Sequence, residues 1–293
     1  MPDDGSAGVR LRAATASDVE PAIDLFRSSL RDMLARNGID AGDLPRDEWR
    51  HSYPHVFRTG IFRVAEDDQG LVAICHAIVR GPRWFLSGFW ARPQRQRAGI
   101  GGRLLREVWD EGRARGASTF FTWSSIDLTA MASYMRRGML PGYPILSFAG
   151  EPSSFPSHES VAPLTAKIAT AFDREIVGVE RDVDHAFWLS EPGRVAHAVV
   201  RDGHTIGYHY VRGGAIGPAA WRSDADADAV LGSAFASALA QSPTVRMRAL
   251  GSNHHSVRFA LASGLRLVGY STLLTTAPFG QLERYVPSGP TLF

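Results

Sequence analysis

Apolar residues follow two periods along this chain, and their order predicts an α/β architecture. The run Trp84, Phe85, Leu86, Ser87, Gly88, Phe89, Trp90 and Ala91 is aromatic-rich and of strand length, and it closes at Arg92 and Pro93, where proline cannot donate to a ladder. Beyond it, Leu104, Leu105, Val108 and Trp109 recur at three- to four-residue spacing. Arg103, Arg106, Glu107, Asp110, Arg113 and Arg115 take the other face, so a helix is predicted that stops at Gly116. Between strand and helix lie Gln96, Arg97, Ala98, Gly99, Ile100, Gly101 and Gly102. Glycines there let amide N–H groups at the helix start converge on an anion with the helix dipole behind them, and a pyrophosphate is the natural ligand.

Upstream, Val9 to Arg12 alternate as a first strand, and Ser17, Asp18, Val19 and Glu20 offer a capping box to a helix reaching about Arg36, with Ile23, Leu25, Phe26 and Leu30 on its apolar side. A second helical stretch, 47–57, carries Trp49, His51, Tyr53 and His55. Segments 60–65 and 71–79 predict a hairpin around the polar turn 66–70. Downstream, 118–123 reads as a buried strand, Asp127, Ala130, Tyr134 and Gly138 fall at offsets 0, 3, 7 and 11 along a short helix, and 145–148 makes another strand. The Pro- and Ser-rich stretch 151–158 has no periodicity and reads as a linker.

The second half repeats the first in order. A helix is expected over 173–189, a hairpin over 195–200 and 205–211, a strand ending near Pro218, a helix over 226–240 and a strand over 245–250. Asn253, Ser256, Ala260 and Gly264 then repeat the offsets 0, 3, 7 and 11. Ala260 stands where Tyr134 stood, and Asp224, Asp226 and Asp228 occupy the place of the glycine-rich loop, where they would cap the helix dipole themselves.

Composition narrows the field. At 293 residues, two domains are expected, and 44% hydrophobic against 21% charged residues suffices for packed cores. Of the 32 basic residues only Lys167 is lysine and the net charge is +2, so the arginines are not read as a nucleic-acid signature. Over 80–115, however, nine arginines stand against Glu107, Asp110 and Glu111, which suits a polyanionic ligand, although a solvated helix face accounts for part of them. Cys75 is the only cysteine, which excludes an intramolecular disulfide and a CxxC metal site; no metal is expected. The acidic, polar start of the sequence is unlike a signal peptide and no apolar run approaches membrane length, so a cytoplasmic protein without membrane association is expected. The dinucleotide Gly-x-Gly-x-x-Gly pattern is not met, since Gly99 and Gly101 are followed by Leu104, and the Walker lysine is missing.

Pro93, then Gln96-x-x-Gly99-x-Gly101 opening a helix, then a strand, then Ala130-x-x-x-Tyr134-x-x-x-Gly138-Met139 resembles the GNAT superfamily of acyl-CoA-dependent N-acyltransferases over roughly 9–150. The resemblance implies an α/β (α+β) fold of two tandem GNAT domains, each a mixed, splayed central sheet flanked by helices: 1–150 catalytic, 151–166 linker, 167–293 a degenerate repeat that has lost its cofactor. It implies acetyl-CoA as co-substrate, with the pantetheine arm along Phe89, Trp90 and Ala91, the pyrophosphate on the amides of 97–102 with Gln96, Arg103 and Asp127 nearby, and Tyr134 as general acid toward the departing thiolate. A core aromatic is the alternative for Tyr134. Many relatives place a glutamate on the central strand as base, and this chain has none between Gly70 and Glu107. His76 is the substitute candidate, against a purely structural role, with Asp127 and Ser125 as weaker candidates acting through water. The aromatic and histidine residues of 47–57 are candidate acceptor contacts or simply caps of the sheet. Two readings stay open: an N-acetyltransferase acting on a small-molecule or peptide amine, monomeric or homodimeric, and a non-catalytic acyl-CoA-binding sensor.

Overall fold

In the computed structural model, residues 8–44, 47–96, 99–153, 155 and 160–293 are described. The chain divides into two units, one comprising residues up to Thr122 with Asp127–Arg137, the other Trp123–Ile126 with Gly138–Phe293.

In the first unit, β1 (Arg10–Ala13) leads through one 3₁₀ turn into α1 (Val19–Arg36), followed by α2 (Asp47–Arg50) and α3 (Ser52–Thr59). The hairpin β2 (Ile61–Asp67) and β3 (Gly70–Arg80) runs on into β4 (Arg83–Ala91), then α4 (Ile100–Ala114), β5 (Thr119–Ser124), whose last two residues count with the second unit, and α5 (Leu128–Met135). The strands lie in the order β1-β2-β3-β4-β5, antiparallel up to β4 and parallel between β4 and β5. The helix after β4 returns the chain for that parallel pairing, as a crossover requires. The capping box is made by Thr15 and Asp18 on the 3₁₀ turn that leads into α1, not by Ser17 and Glu20 as the sequence pattern suggested. Thr15 is in extended backbone, and the Asp18 carboxylate accepts from its N–H at 2.7 Å while also pairing with Arg12. On the buried face of α1, Val19, Ala22, Ile23 and Phe26 meet Trp49, Tyr53, Phe62, Val64 and Ile74. Phe26 sits edge-on to both Trp49 and Trp90, each at 4.9 Å between ring centroids, a geometry that adds about 0.5–1.5 kcal/mol per pair beyond area burial.

The second unit contains β6 (Leu140–Gly150), β7 (Ser160–Pro163), α6 (Ala166–Ile176), α7 (Asp182–Ser190), β8 (Arg194–Arg201), β9 (His204–Arg212), β10 (Ala215–Trp221), α8 (Ala227–Leu239), β11 (Val245–Leu250), α9 (His254–Ala262), β12 (Arg266–Thr275) and β13 (Tyr285–Val286). Its strands run β12-β6-β11-β10-β9-β8-β7, with β13 added to β10. Four sequence expectations are revised here. The helix expected over 173–189 is two helices, because Gly178 turns with φ +80° between them. The stretch expected as a linker over 151–166 contains β7, while 154 and 156–159 fall outside the described residues. The strand expected to end at Pro218 continues through an irregularity to Trp221. Finally, β6 counts with the second unit, between β11 and β12, so the division of the chain does not follow the expected limits 1–150 and 167–293.

The offsets shared by the two halves take the same structural form. Asp127 caps α5 by accepting from the N–H groups of Thr129 and Ala130, and Asn253 caps α9 by accepting from Ser256 N–H. Gly138 and Gly264 follow the two helices with φ of +85° and +90°. Among the described residues no helix is long and apolar enough to cross a membrane, and no group of three or more His, Cys, Asp or Glu side chains is placed to hold a metal.

Candidate coenzyme and catalytic site

The site is built where β4 parts from β5. Their pairing runs from Arg83↔Thr119 to Leu86↔Thr122 and stops, while β4 continues to Ala91 against β3. The parting coincides with a register shift in β3–β4, where His76 faces Gly88 and Ala77 faces Leu86, leaving Ser87 as the extra residue of a bulge that bends the strand. Arg92 N–H donates to Val72 O at 2.8 Å. By the alternation of an antiparallel ladder Trp90 and Gly88 also bond toward β3, and the backbone groups of Phe89 and Ala91 point to the other edge. The Ala91 carbonyl is held there by Ser29 Oγ (3.0 Å) and Gln96 Nε2 (3.2 Å). Gln96 therefore ties the loop to the strand end rather than presenting its amide to a ligand.

Beside this edge α4 begins without a side-chain cap. Its N-cap is Gly99, with φ +75°, a left-handed turn that a side chain would strain, and no acid stands in the first turn. The first N–H groups of the helix are thus left for an anion. Ile100 is buried and anchors the helix start; Gly102 faces open space. A Cβ at Gly101 would lie 2.9 Å from Phe89 Cζ, so the first turn of α4 rests directly on the ring of Phe89. Arg103 is exposed. Arg97 and Ala98, the other residues expected to bind the pyrophosphate, lie outside the described residues.

Tyr134 belongs to this place. Its ring centroid is 6.2 Å from that of Phe89, it is 6% exposed, and its hydroxyl has no hydrogen-bond partner among the described residues. Burial, with smaller contributions from Cys75 and Asp127, raises its pKa above the usual phenol range, so the group is a held proton. Cys75 lies fully buried on the same face of β3, where burial pushes its thiol up, away from thiolate character. Asp127, expected near the coenzyme, spends one oxygen on the α5 cap, and its other oxygen lies 3.9 Å from Arg36.

His76 is on the opposite face of the sheet. It is fully buried, with its ring 4.9 Å from Tyr53 and 4.7 Å from Phe62, and neither ring nitrogen has a hydrogen-bond partner. A Cβ at Gly88 would come within 2.3 Å of its Nε2, so glycine there is what admits the ring. Burial lowers its pKa to about 3. A base of that strength cannot draw a proton from an amine, and this geometry opposes the catalytic role that the sequence suggested for His76. Gly88 and Ser29 are site-shaping residues that sequence reasoning missed; Gly88 was visible only as a glycine inside a strand. Trp49, Tyr53 and His55 are buried, Trp49 and Tyr53 in the aromatic core under α1, which favours the sheet-capping alternative for the 47–57 stretch.

His76 yields a stability prediction. Its folded pKa lies below the ordinary histidine value of about 6.5, so the unfolded chain takes up the proton first as pH falls, and stability declines between about pH 6.5 and 3. His76→Leu should reduce that slope by up to about 1.4 kcal/mol per pH unit while changing kcat less than about threefold. Urea unfolding at several pH values and steady-state kinetics provide the check. Equal slopes would contradict the burial argument, and a large loss of kcat would restore the catalytic role.

The second unit shows what closing such a site looks like. β10 pairs with β11 only at Ala215 and Ile216 and then parts from it, but Ala219 and Ala220 are paired by Val286 and Tyr285 of β13. The chain's own strand fills the edge that β4 leaves free. That strand is held by Asn253 Nδ2 on Tyr285 O and by a buried network in which Arg181 donates to Asp173, to the Tyr285 hydroxyl and to Phe293 O. The turn before α8 carries a capping box of Ser223 and Asp226, and Asp226 also pairs with Arg201. An anion would meet carboxylates where α4 offers N–H groups. Tyr285 and Phe293 are thereby tied into the second unit.

A parallel strand pair that splays at a bulge, with an uncapped helix start beside the gap, defines an acyl-CoA N-acyltransferase fold. Residues 23–139 match the Acetyltransferase (GNAT) family. The fold likeness extends over nearly the whole chain. A candidate acetyltransferase from Pyrococcus horikoshii superposes with a TM-score of 0.80 at 15% identity, covering 98% of this chain and 96% of that one. A tandem GNAT protein from the clavulanic acid biosynthesis pathway matches at 0.60 and 14% identity over 92% and 99%. A GCN5-related N-acetyltransferase from Sphaerobacter thermophilus matches at 0.60 and 15% over 97% and 99%. No curated protein matches. Binding of acetyl-CoA and transfer of its acetyl group to an amine are the general activity of the family.

Proposed function

We propose that the chain is an N-acetyltransferase that passes the acetyl group of acetyl-CoA to a primary amine by direct attack. The observation that carries the reading is the free edge of β4 at Phe89, flanked by the uncapped start of α4 and by the Tyr134 hydroxyl, which has no hydrogen-bond partner among the described residues. Phe89 offers its backbone groups, and Ala91 its N–H, to the amides of the pantetheine arm, and the N–H groups from Gly99 to Gly102 take the pyrophosphate. The amine lone pair attacks the thioester carbon, the C–S bond breaks, and the departing sulfur takes the phenolic proton of Tyr134. With His76 across the sheet and no glutamate on β3 or β4, the ammonium proton leaves to solvent, so the acceptor reacts as the free amine. The acceptor is a small-molecule or peptide amine; neither nucleic acid nor membrane is a partner, the chain works as a monomer or homodimer, and its compartment is the cytoplasm.

Calorimetric titration of acetyl-CoA, paired with release of free thiol over an amine panel, tests the reading. One molecule should bind per chain, because β13 already occupies the corresponding edge of the second unit. Two equivalent sites would contradict that account of the second unit, and no binding would end the coenzyme reading. The rival reading, a non-catalytic acyl-CoA sensor, draws on the missing carboxylate base. Binding without turnover across the panel would favour it.

A further inference from the structure

We infer that Arg137 is a side-chain handle for the phosphates of the co-substrate, reaching from the end of α5 to the first turn of α4. The inference rests on the acetyl-CoA reading above and adds to it a residue outside the glycine-rich loop.

Arg137 donates from Nη2 to the Gly102 carbonyl at 3.0 Å and from Nη1 to the Ser133 carbonyl at 3.2 Å. One guanidinium thus spans from the helix that carries Tyr134 to the residue that closes the anion loop. Both partners are neutral, and among the described residues no carboxylate lies within ion-pair distance of it. Other arginines of the unit are matched: Arg12 with Asp18, Arg63 with Glu111, Arg95 with Asp67. Burial disfavours the charged form of Arg137 and Arg106 adds to that, while Asp110 acts in the opposite sense. A half-buried cation that feels a second cation, and whose partners among the described residues are carbonyls, is stabilised by an arriving anion. The planar fork of arginine matches two phosphate oxygens at once. Its position at Gly102, where the first N–H groups of α4 point out of the helix, puts that fork beside the place proposed for the pyrophosphate.

The test measures acetyl-CoA affinity by calorimetry for wild type, Arg137→Ala and Arg137→Lys. It also compares kcat/KM for acetyl-CoA with that for S-acetylpantetheine, which keeps the thioester and lacks every phosphate. Arg137→Ala should weaken acetyl-CoA binding about 10- to 100-fold, and lysine should recover part of it. The wild-type to variant ratio of kcat/KM should shrink toward one with S-acetylpantetheine. Acetyl-dephospho-CoA then locates the contact. A loss as large as with the full coenzyme places it at the pyrophosphate; a smaller loss places it at the 3′-phosphate. Unchanged affinity in Arg137→Ala overturns the inference, as does an equal loss with S-acetylpantetheine, which would mean that Arg137 only packs α5 against α4. Failure of wild type to bind acetyl-CoA is a different result, and it removes the proposed function itself.

Discussion

Replacing Gly101 by glutamate is expected to weaken acetyl-CoA binding by a factor of about 100 or more while leaving the fold intact. The new Cβ would meet the Phe89 ring at 2.9 Å, and that ring is the far end of a side chain lying on the free edge of β4. The carboxylate would sit in the first turn of a helix that has neither an acid nor a side-chain cap. There it competes with the pyrophosphate for the same N–H groups and repels it. The second unit contains the natural form of this change, the turn before α8 with Asp224 and Asp226 and its capping box. Because an acid at a helix start is favourable for the helix, the melting temperature should hold or rise. Calorimetry and thermal denaturation on the same sample separate the two effects. A variant that binds acetyl-CoA as wild type does would show that the start of α4 is not the anion site.

How far the sequence disclosed this site depends on how local each cause is. The order β4, loop, α4 was legible because a buried strand and an amphipathic helix each carry their own period, and β11 fell on 245–250 as expected for the same reason. The start of α1 was misread because Ser17 to Glu20 fits the capping pattern as well as Thr15 to Asp18 does. Arg12, a strand residue whose pairing with Asp18 is tertiary, accompanies the box that forms. β6 was expected only over 145–148 because Pro141, Gly142 and Pro144 argue against a strand. Those prolines fall in the half of β6 paired on one side by β12; pairing with β11 begins at Ile145, so each proline can turn its missing donor away from the ladder. The closure of the second unit was half legible. The acids before α8 and Ala260 at the tyrosine position could be read, but a two-residue strand such as β13 has no sequence signature and exists only because β10 has an edge to pair. His76 marks the same limit. Alternation along β3 puts it opposite Cys75, but that Tyr53, Phe62 and Gly88 enclose it depends on three separate elements.

Tyr134→Phe is the other large effect expected, and it should fall on kcat. Loss of the phenol removes the donor to the departing sulfur, for which a factor of about 100 is expected from the usual range of general-acid catalysis. Affinity for acetyl-CoA should stay within about threefold, since the ring that lies near Phe89 remains. Stability should change by no more than about 0.5 kcal/mol, because the hydroxyl has no partner among the described residues to leave unsatisfied. The pH profile sharpens the test. Burial, Cys75 and Asp127 all raise the phenol's pKa, so the proton is in place across the working range, and wild-type kcat should show no descending limb from Tyr134 up to about pH 10. Over the same range kcat/KM for the amine should rise with the free-base fraction, as expected when no protein base takes the ammonium proton. An unchanged kcat in the phenylalanine variant would remove Tyr134 as the acid. A descending limb near neutrality that vanishes in the variant would show instead that the phenol ionises readily, contrary to the buried position it occupies beside β4.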